Sequence, residues 1–240
     1  MHISQFLYHS FAPSLFQKGG IAYDLGANHG QFAAYLSQNF DNVVAVEPNP
    51  NIDLADLASN VTVMRCAVGF PTSSGTFRLA GVDDASKLVQ SSNSSPCNEG
   101  EDILVKIMSL KDLFNLHPNS LVSLVKMDIE GAELDILLGE DPDVLTMIYQ
   151  LTVEFHDFND PASLPTVLKA IKRMEDLGFV TLQFSITTYG DVLFLNSRHI
   201  QGFSRIWVLL RYRWLRGMMR RVRRRLSPGA CVPGGYTFLK

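Results

Sequence analysis

The sequence predicts an α/β fold: a mostly parallel sheet with helices on both faces and one antiparallel edge strand. Three observations predict it. Apolar runs that suit strands alternate with stretches whose apolar residues recur at helical spacing. Residues 22–30 compress a strand end, a tight glycine turn and a helix start into nine positions. Asp24, Glu47, Asp128, Glu154 and His156 each fall at or just past the end of a predicted strand. That is where open parallel sheets bind their ligands.

The elements follow in order. Residues 1–20 are weakly patterned and rich in aromatics (Phe6, Tyr8, Phe11, Phe16), which suits a segment covering one edge. Residues 21–25 form the first strand, and 31–39 carry Phe32, Tyr35 and Leu36 at helical spacing. Residues 43–46 are a short continuous apolar run, as expected of a strand buried on both faces. Glu47-Pro48-Asn49-Pro50 stops it. A short helix over 51–59 and a third strand over 61–68 come next. Strands over 76–79 and 103–108 flank a breaker-rich stretch, 83–102, of the kind that forms functional lids. Residues 121–127 make a strand ending at Asp128, followed by a helix over 130–138. Residues 149–155 are a strand with Glu154 and His156 at its end. An amphipathic helix over 164–177 stops at Gly178. Residues 180–186 and 192–195 read as a hairpin, which supplies the antiparallel strand.

The 240 residues, 46% hydrophobic and 19% charged, suffice for one domain with a sizeable core. The expected organisation is a cover segment over 1–20, a main domain over 21–198 and a basic tail over 199–240. Cys66, Cys97 and Cys231 form no C-x-x-C pair, so a reduced, cytoplasmic setting without structural zinc is expected. Residues 1–20 lack the apolar core of a signal peptide, and no stretch reaches the roughly 18–20 apolar residues of a membrane span.

The net charge of −3 conceals a split. Arg205 to Lys240 holds ten basic residues and no acid, a charge of +10, whereas the remainder has 24 acids against 11 bases. Val208, Tyr212, Leu215, Met219, Val222 and Leu226 would form one stripe on a helix, with arginines, Trp207 and Trp214 around it. Residues 205–226 therefore read as an interfacial helix for an anionic membrane surface. Docking on the acidic body is the next reading, and nucleic acid the least favoured.

The turn carries the chemistry. Dinucleotide-binding turns read G-x-G-x-x-G and hold a pyrophosphate on a helix N-terminus. This one reads D-x-G-x-x-x-G, with Asp24, Gly26 and Gly30. Its glycines let a ligand lie against bare backbone, while Asp24 repels phosphate and accepts hydrogen bonds from an ammonium group. Such a turn suits an adenosine ligand with an amino-acid tail, namely S-adenosylmethionine (SAM). Glu47 ends the next strand, where an acidic residue accepts hydrogen bonds from ribose hydroxyls. Residues 126–133 place three acids at a strand-to-helix junction. Glu130 and Glu133 also fit as acids of a first helical turn, but Asp128 ends an apolar strand where the sheet opens.

Asp-Leu-Gly-Ala-Asn-His-Gly (24–30), Val-Glu-Pro-Asn-Pro (46–50), Cys-Ala-Val-Gly (66–69), Lys-Met-Asp-Ile-Glu-Gly-Ala-Glu (126–133) and Val-Glu-Phe-His (153–156) occur in that order. Together they resemble the FkbM family of SAM-dependent methyltransferases, over residues 20–196. The resemblance implies a Rossmann-like class I methyltransferase domain with a seven-stranded sheet. It also implies methyl transfer to oxygen on a sugar, glycan or natural product. It places Asp24, Gly26, Asn28 and Gly30 around the amino-acid part of SAM, Glu47 on the ribose, Ala67 near the adenine, and Asp128 toward the methionine portion or the acceptor. Asp84-Ala85-Ser86 falls where similar chains carry a small loop over the site, here extended by residues 91–102.

Methyl transfer needs alignment above all, and a hydroxyl acceptor gains from a base. His156 is the expected base, since an ordinary imidazole pKa of about 6.5 suits the task. Glu154 would orient it or serve instead. A divalent cation on Asp128, Glu154 and His156 is a weaker alternative; the favoured reading has no metal. His2, His9, His117 and His199 read as surface residues, and His29 as a flank of the cofactor. Two rival functions stand beside methyl transfer. One is a non-catalytic SAM-fold accessory protein recruited to a membrane by its tail. The other is a nicotinamide-dependent oxidoreductase, whose turn should lack Asp24 and carry a third glycine.

Overall fold

The computed structural model describes residues 1–80, 87–88, 100–185 and 188–200. The basic tail from 201 onward, Asp84-Ala85-Ser86 and most of the lid stretch lie outside the described residues. The chain divides into two units by its contacts, Phe16–Ile148 and Met1–Leu15 with Tyr149–Lys240.

The chain opens with β1 (Ser4–Phe6) and β2 (His9–Phe11), an antiparallel hairpin within the segment expected to cover one edge. Then come β3 (Ile21–Leu25), α1 (Gln31–Ser37), β4 (Asn42–Val46), β5 (Val61–Met64), β6 (Ala67–Val68), β7 (Ser73–Ala80), β8 (Lys87–Leu88) and β9 (Gly100–Met108). After α2 (Leu110–Asn115) follow β10 (Val122–Met127), α3 (Glu133–Gly139), α4 (Pro142–Thr146) and β11 (Gln150–Val153). The described residues end with α5 (Leu164–Asp176), β12 (Phe179–Gln183) and β13 (Val192–Asn196).

Seven strands make the mostly parallel sheet that the sequence calls for. Four belong to the Phe16–Ile148 unit, in the order β10-β3-β4-β5, all parallel. Their sequences are near-continuous apolar runs because both faces are covered: Ile21, Ala22, Tyr23 and Leu25, Val43 to Val46, and Val122, Leu124, Val125 and Met127 are all buried. The buried Tyr23 hydroxyl donates to the Leu113 carbonyl, and burial pushes its pKa well above the usual phenol value. A smaller, mostly antiparallel sheet, β6-β9-β7-β8, belongs to the same unit and packs Ala67, Phe77 and Val105 together.

The other three strands lie in the second unit, where β13 runs antiparallel to both β11 and β12. Ala12, Val180, Leu182, Leu193, Leu195 and Ile200 form its core. The Gln150 side chain clasps Ala12 from both sides, accepting its N–H at 2.8 Å and donating to its carbonyl at 3.2 Å.

Three expected elements differ, each for a local reason. Residues 51–59 form turns, not a helix. Asn49 and Asp53 accept the N–H groups of Asn51 and Ala55, and the Arg65 guanidinium holds the Asn49 and Ile52 carbonyls, each at 2.8 Å. Such side-chain bonds compete with the helical ladder. The single strand over 61–68 breaks into β5 and β6, which join different sheets. The helix expected from residue 130 begins at Glu133, because Glu130 (φ 55°) and Gly131 (φ 107°) are left-handed.

Candidate cofactor and active site

The glycine turn is built from its own backbone. Gly26 and Ala27 both donate to the Val46 carbonyl at 3.0 Å, tying the end of β3 to the end of β4. Gly26 (φ 75°), Asn28 (φ 45°) and Gly30 (φ 72°) are left-handed. At Gly26 the requirement is steric as well. A Cβ there would lie 1.8 Å from the Asp128 carbonyl oxygen, so only glycine allows the two loops to meet.

Glu47 closes the turn from the neighbouring strand. It is 5% exposed, and its carboxylate accepts the N–H of Asn28 at 2.9 Å and of Asn49 at 2.8 Å. Burial pushes its pKa above the usual carboxylate value. The two N–H bonds and the Lys126 and Arg65 charges offset part of that rise. Each carboxylate oxygen has two lone pairs, so one N–H apiece leaves acceptors for a pair of ribose hydroxyls. Carboxylate acceptors beside the turn fit the ribose of SAM.

Lys126, which the sequence does not single out, joins this region. It is 4% exposed, and its ammonium donates to the Gly26 carbonyl at 2.6 Å while lying 3.2 Å from Asp24 and 3.7 Å from Asp128. The signal was legible: one charged residue inside a strand buried on both faces. Glu133 has a local structural role. Buried, it accepts the N–H of Ile129 and of Gly131, both at 2.9 Å, and so fixes the loop that carries Asp128. Thus Asp24, Gly26, Asn28, Gly30, Glu47 and Asp128 share one hydrogen-bonded region of this unit. Ala67 lies in the core of the smaller sheet.

Glu154 and His156 belong to the other unit, just past β11. Phe155 donates to the Tyr189 carbonyl at 3.2 Å, and Asp157 accepts the Tyr189 N–H at 2.9 Å, which fixes the backbone on both sides of His156. The His156 ring leans on Phe158, with centroids 5.4 Å apart. His9, expected at the surface, is 2% exposed. Its imidazole and the Glu154 carboxylate offer ligand atoms within 4.8 Å of each other. The hairpin that carries it is anchored by buried Asp191, which accepts from Ser10 Oγ at 2.6 Å, Ser10 N–H at 3.1 Å and Gln5 Nε2 at 2.8 Å. Only tertiary packing reveals this, since nothing near His9 in the sequence marks it.

A parallel sheet with a glycine elbow after its first strand and a carboxylate after its second defines a Rossmann-like nucleoside-binding enzyme. A family model described as the methyltransferase FkbM domain matches residues 24–181. The chain belongs to the FkbM methyltransferase family, and it is a methyltransferase that uses SAM.

Three relatives have methyltransferase names. The chain is 27% identical to Methyltransferase 1 of Beauveria bassiana over 61% of this chain and 69% of that protein. It is 25% identical to methyltransferase sdnD of Sordaria araneosa, covering 65% and 72%. It is 27% identical to the hexuronic acid methyltransferase AglP of Haloferax volcanii, covering 65% and 64%. Among solved structures, precorrin-6y C5,15-methyltransferase from Geobacter metallireducens aligns at 15% identity and a TM-score of 0.37, covering 76% of this chain and 82% of that one. A superposition that loose adds nothing to the family assignment.

Proposed function

We propose that this chain is a SAM-dependent O-methyltransferase acting on a hydroxyl of a sugar, glycan or natural product. One observation carries the donor half of this reading: Glu47 and the Asp24–Gly30 turn are joined by the Asn28 N–H, so ribose-binding and tail-binding groups form one rigid piece. The acceptor half is supported by the relative named for hexuronic acid methylation.

In this reading Asp24, Gly26, Asn28 and Gly30 hold the amino-acid portion, Glu47 the ribose hydroxyls, and Ala67 borders the adenine. Asp128 faces the methionine portion or the acceptor. SAM supplies an electrophilic methyl on a sulfonium. The chain's own task is to align the acceptor oxygen with that methyl, keep water away and remove one proton. His156 takes that proton. A second reading gives the task to His9, supported by its burial and by the nearness of the Glu154 carboxylate, which would orient the imidazole. Glu154 then serves His9 in place of His156.

The test is transfer of label from methyl-labelled SAM to a panel of uronic-acid oligosaccharides and hydroxylated natural products. An alkali-stable methyl ether is expected. Label found only in alkali-labile methyl esters would overturn the hydroxyl acceptor. SAM binding with no acceptor turned over would favour the accessory-protein rival. We also assign the Arg-rich residues 205–226 to an anionic membrane surface, making the enzyme a peripheral one on the cytoplasmic side. Flotation with anionic vesicles should fail once residues 205–240 are removed; undiminished flotation would reject this.

A further inference from the structure

The connection from β4 to β5, residues 47–60, forms neither helix nor strand, yet Asn49, Ile52 and Leu54 within it are buried. Arg65, just past β5, holds it. Arg65 is an exposed residue, but its guanidinium forks across the loop: Nη1 donates to the Asn49 carbonyl and Nη2 to the Ile52 carbonyl, each at 2.8 Å. A planar fork can serve two fixed acceptors at once, which a lysine ammonium does poorly.

Asn49 links that fork to the candidate donor site. Its carbonyl is held by Arg65, its Oδ1 accepts the Asn51 N–H at 2.9 Å, and its own N–H donates to Glu47 Oε1 at 2.8 Å. Further along, the loop packs on the glycine turn, since a Cβ at Gly30 would lie 2.8 Å from the Leu54 side chain. The loop that Arg65 clamps therefore touches both Glu47 and the turn.

The electrostatics agree with the geometry. Burial pushes the Glu47 carboxyl up, while the N–H groups of Asn49 and Asn28 and the charges of Lys126 and Arg65 pull it back. Lys126 acts from β10 and also lies 3.2 Å from Asp24 at the end of β3. The other titratable residues of the flanking turn and loop are His29, Asp53 and Asp56. Arg65 alone acts on Glu47 in two ways, by its charge and, through Asn49, by an N–H bond.

We propose that Arg65 is a positioning residue for SAM: its fork holds the Asn49 N–H on Glu47, so that the carboxylate stays fixed for the ribose hydroxyls. The inference rests on Glu47 taking the ribose of SAM. Arg65 acts through Asn49 and needs no contact with the ligand.

The experiment compares wild type with Arg65→Met, Arg65→Lys, Glu47→Gln and the double variant Arg65→Met/Glu47→Gln. Each is titrated calorimetrically with SAM, with S-adenosylhomocysteine, and with an S-adenosylhomocysteine analogue lacking both ribose hydroxyls, between about pH 5 and 8. Arg65→Met should bind SAM and S-adenosylhomocysteine about tenfold more weakly. Its affinity for the hydroxyl-free analogue should change by less than about twofold, whereas a merely structural role would weaken all three ligands alike. Arg65→Lys keeps the charge without the fork and should fall between wild type and Arg65→Met. The pH below which SAM affinity declines should move upward in Arg65→Met, because a carboxyl that loses a cation and a firm N–H donor takes up its proton sooner. In the Glu47→Gln background Arg65→Met should add little, so the two losses should not sum.

Wild-type SAM affinity with an unshifted pH profile in Arg65→Met would overturn the proposal, as would equal losses for the hydroxyl-free analogue. If Arg65→Met does not fold, wild-type SAM affinity in Arg65→Lys would overturn it instead. Two other failures stay distinct from these. Wild-type protein that binds the hydroxyl-free analogue as tightly as its parent would bring down the ribose role of Glu47. Wild-type protein that binds none of the three ligands would bring down the SAM reading itself.

Discussion

The backbone N–H of Asn28 points at the Glu47 carboxylate from 2.9 Å, and this bond makes the glycine turn and the acid at the end of β4 a single structural piece. Removing the acid should therefore cost both fold and ligand. Glu47→Ala strands two N–H groups, of Asn28 and Asn49, at about 1–3 kcal/mol each. Chemical denaturation should show that loss, and SAM affinity should fall at least about tenfold. A variant with unchanged stability would refute the coupling.

Glu47 also makes a pH prediction. Folding raises its carboxyl, so just above the ordinary carboxylate range the folded chain keeps a proton that the unfolded chain has released. Its contribution to stability therefore falls as pH rises through that window, up to the raised value. SAM affinity runs the other way, because ribose hydroxyls need the ionised acceptor: it weakens as pH drops through the raised value. Glu47→Gln should flatten that affinity profile, and an unchanged slope would show that another group sets it.

Gly26 and Gly30 should respond unequally to alanine. Both are left-handed, which costs a non-glycine residue about 1–2 kcal/mol. At Gly26 the new methyl would also meet backbone, the Asp128 carbonyl at 1.8 Å, which cannot yield. At Gly30 it would meet the Leu54 and Leu57 side chains at 2.8 Å and beyond, and these can rotate. Gly26→Ala should abolish SAM binding and lower the melting temperature markedly. Gly30→Ala should do less of both. Equal effects would mean that conformation alone, not loop contact, matters at Gly26.

The base is decided by kinetics. Alanine at the residue that takes the proton should cut kcat about 10²–10⁴-fold with SAM affinity preserved. His156→Ala tests the first reading, and His9→Ala, paired with Glu154→Gln, the second. Under the second reading Glu154→Gln and His9→Ala should not be additive, since both remove one unit. Losses in SAM affinity that match the losses in kcat would exclude the residue concerned.

Asp191 is the anchor of the N-terminal hairpin. Asp191→Ala leaves Gln5 and Ser10 without their acceptor and should cost about 2–3 kcal/mol. Limited proteolysis should then cut within residues 1–15 first. Burial raises the Asp191 carboxyl too, so its contribution falls with rising pH in the same sense as that of Glu47. Resistance of the hairpin to proteolysis in the variant would show that Gln150 and the core hold it alone.

Much of the candidate donor site was legible because it obeys local rules. Asp24, Gly26, Gly30 and Glu47 lie at strand ends and in a tight turn, and both kinds of position are written in short stretches of sequence. Asp128 was legible for the same reason. What escaped were residues whose partners are distant. Lys126 reaches Gly26 across 100 positions of sequence, and His9 and Ser10 meet groups far along the chain in Glu154 and Asp191. Residues 51–59 failed as a helix because Arg65, from just past β5, claimed the carbonyls of Asn49 and Ile52.

The sequence by itself determined the alternation of strands and helices, the glycine elbow, and the family, since hydrophobic period and glycine conformation are properties of neighbours along the chain. Tertiary structure alone decided that Asp24 is met by a buried ammonium, that Glu133 braces the loop before its helix, and that His9 is an interior residue. Those facts depend on which strands lie side by side, and charge pairing and burial are set by distances through space.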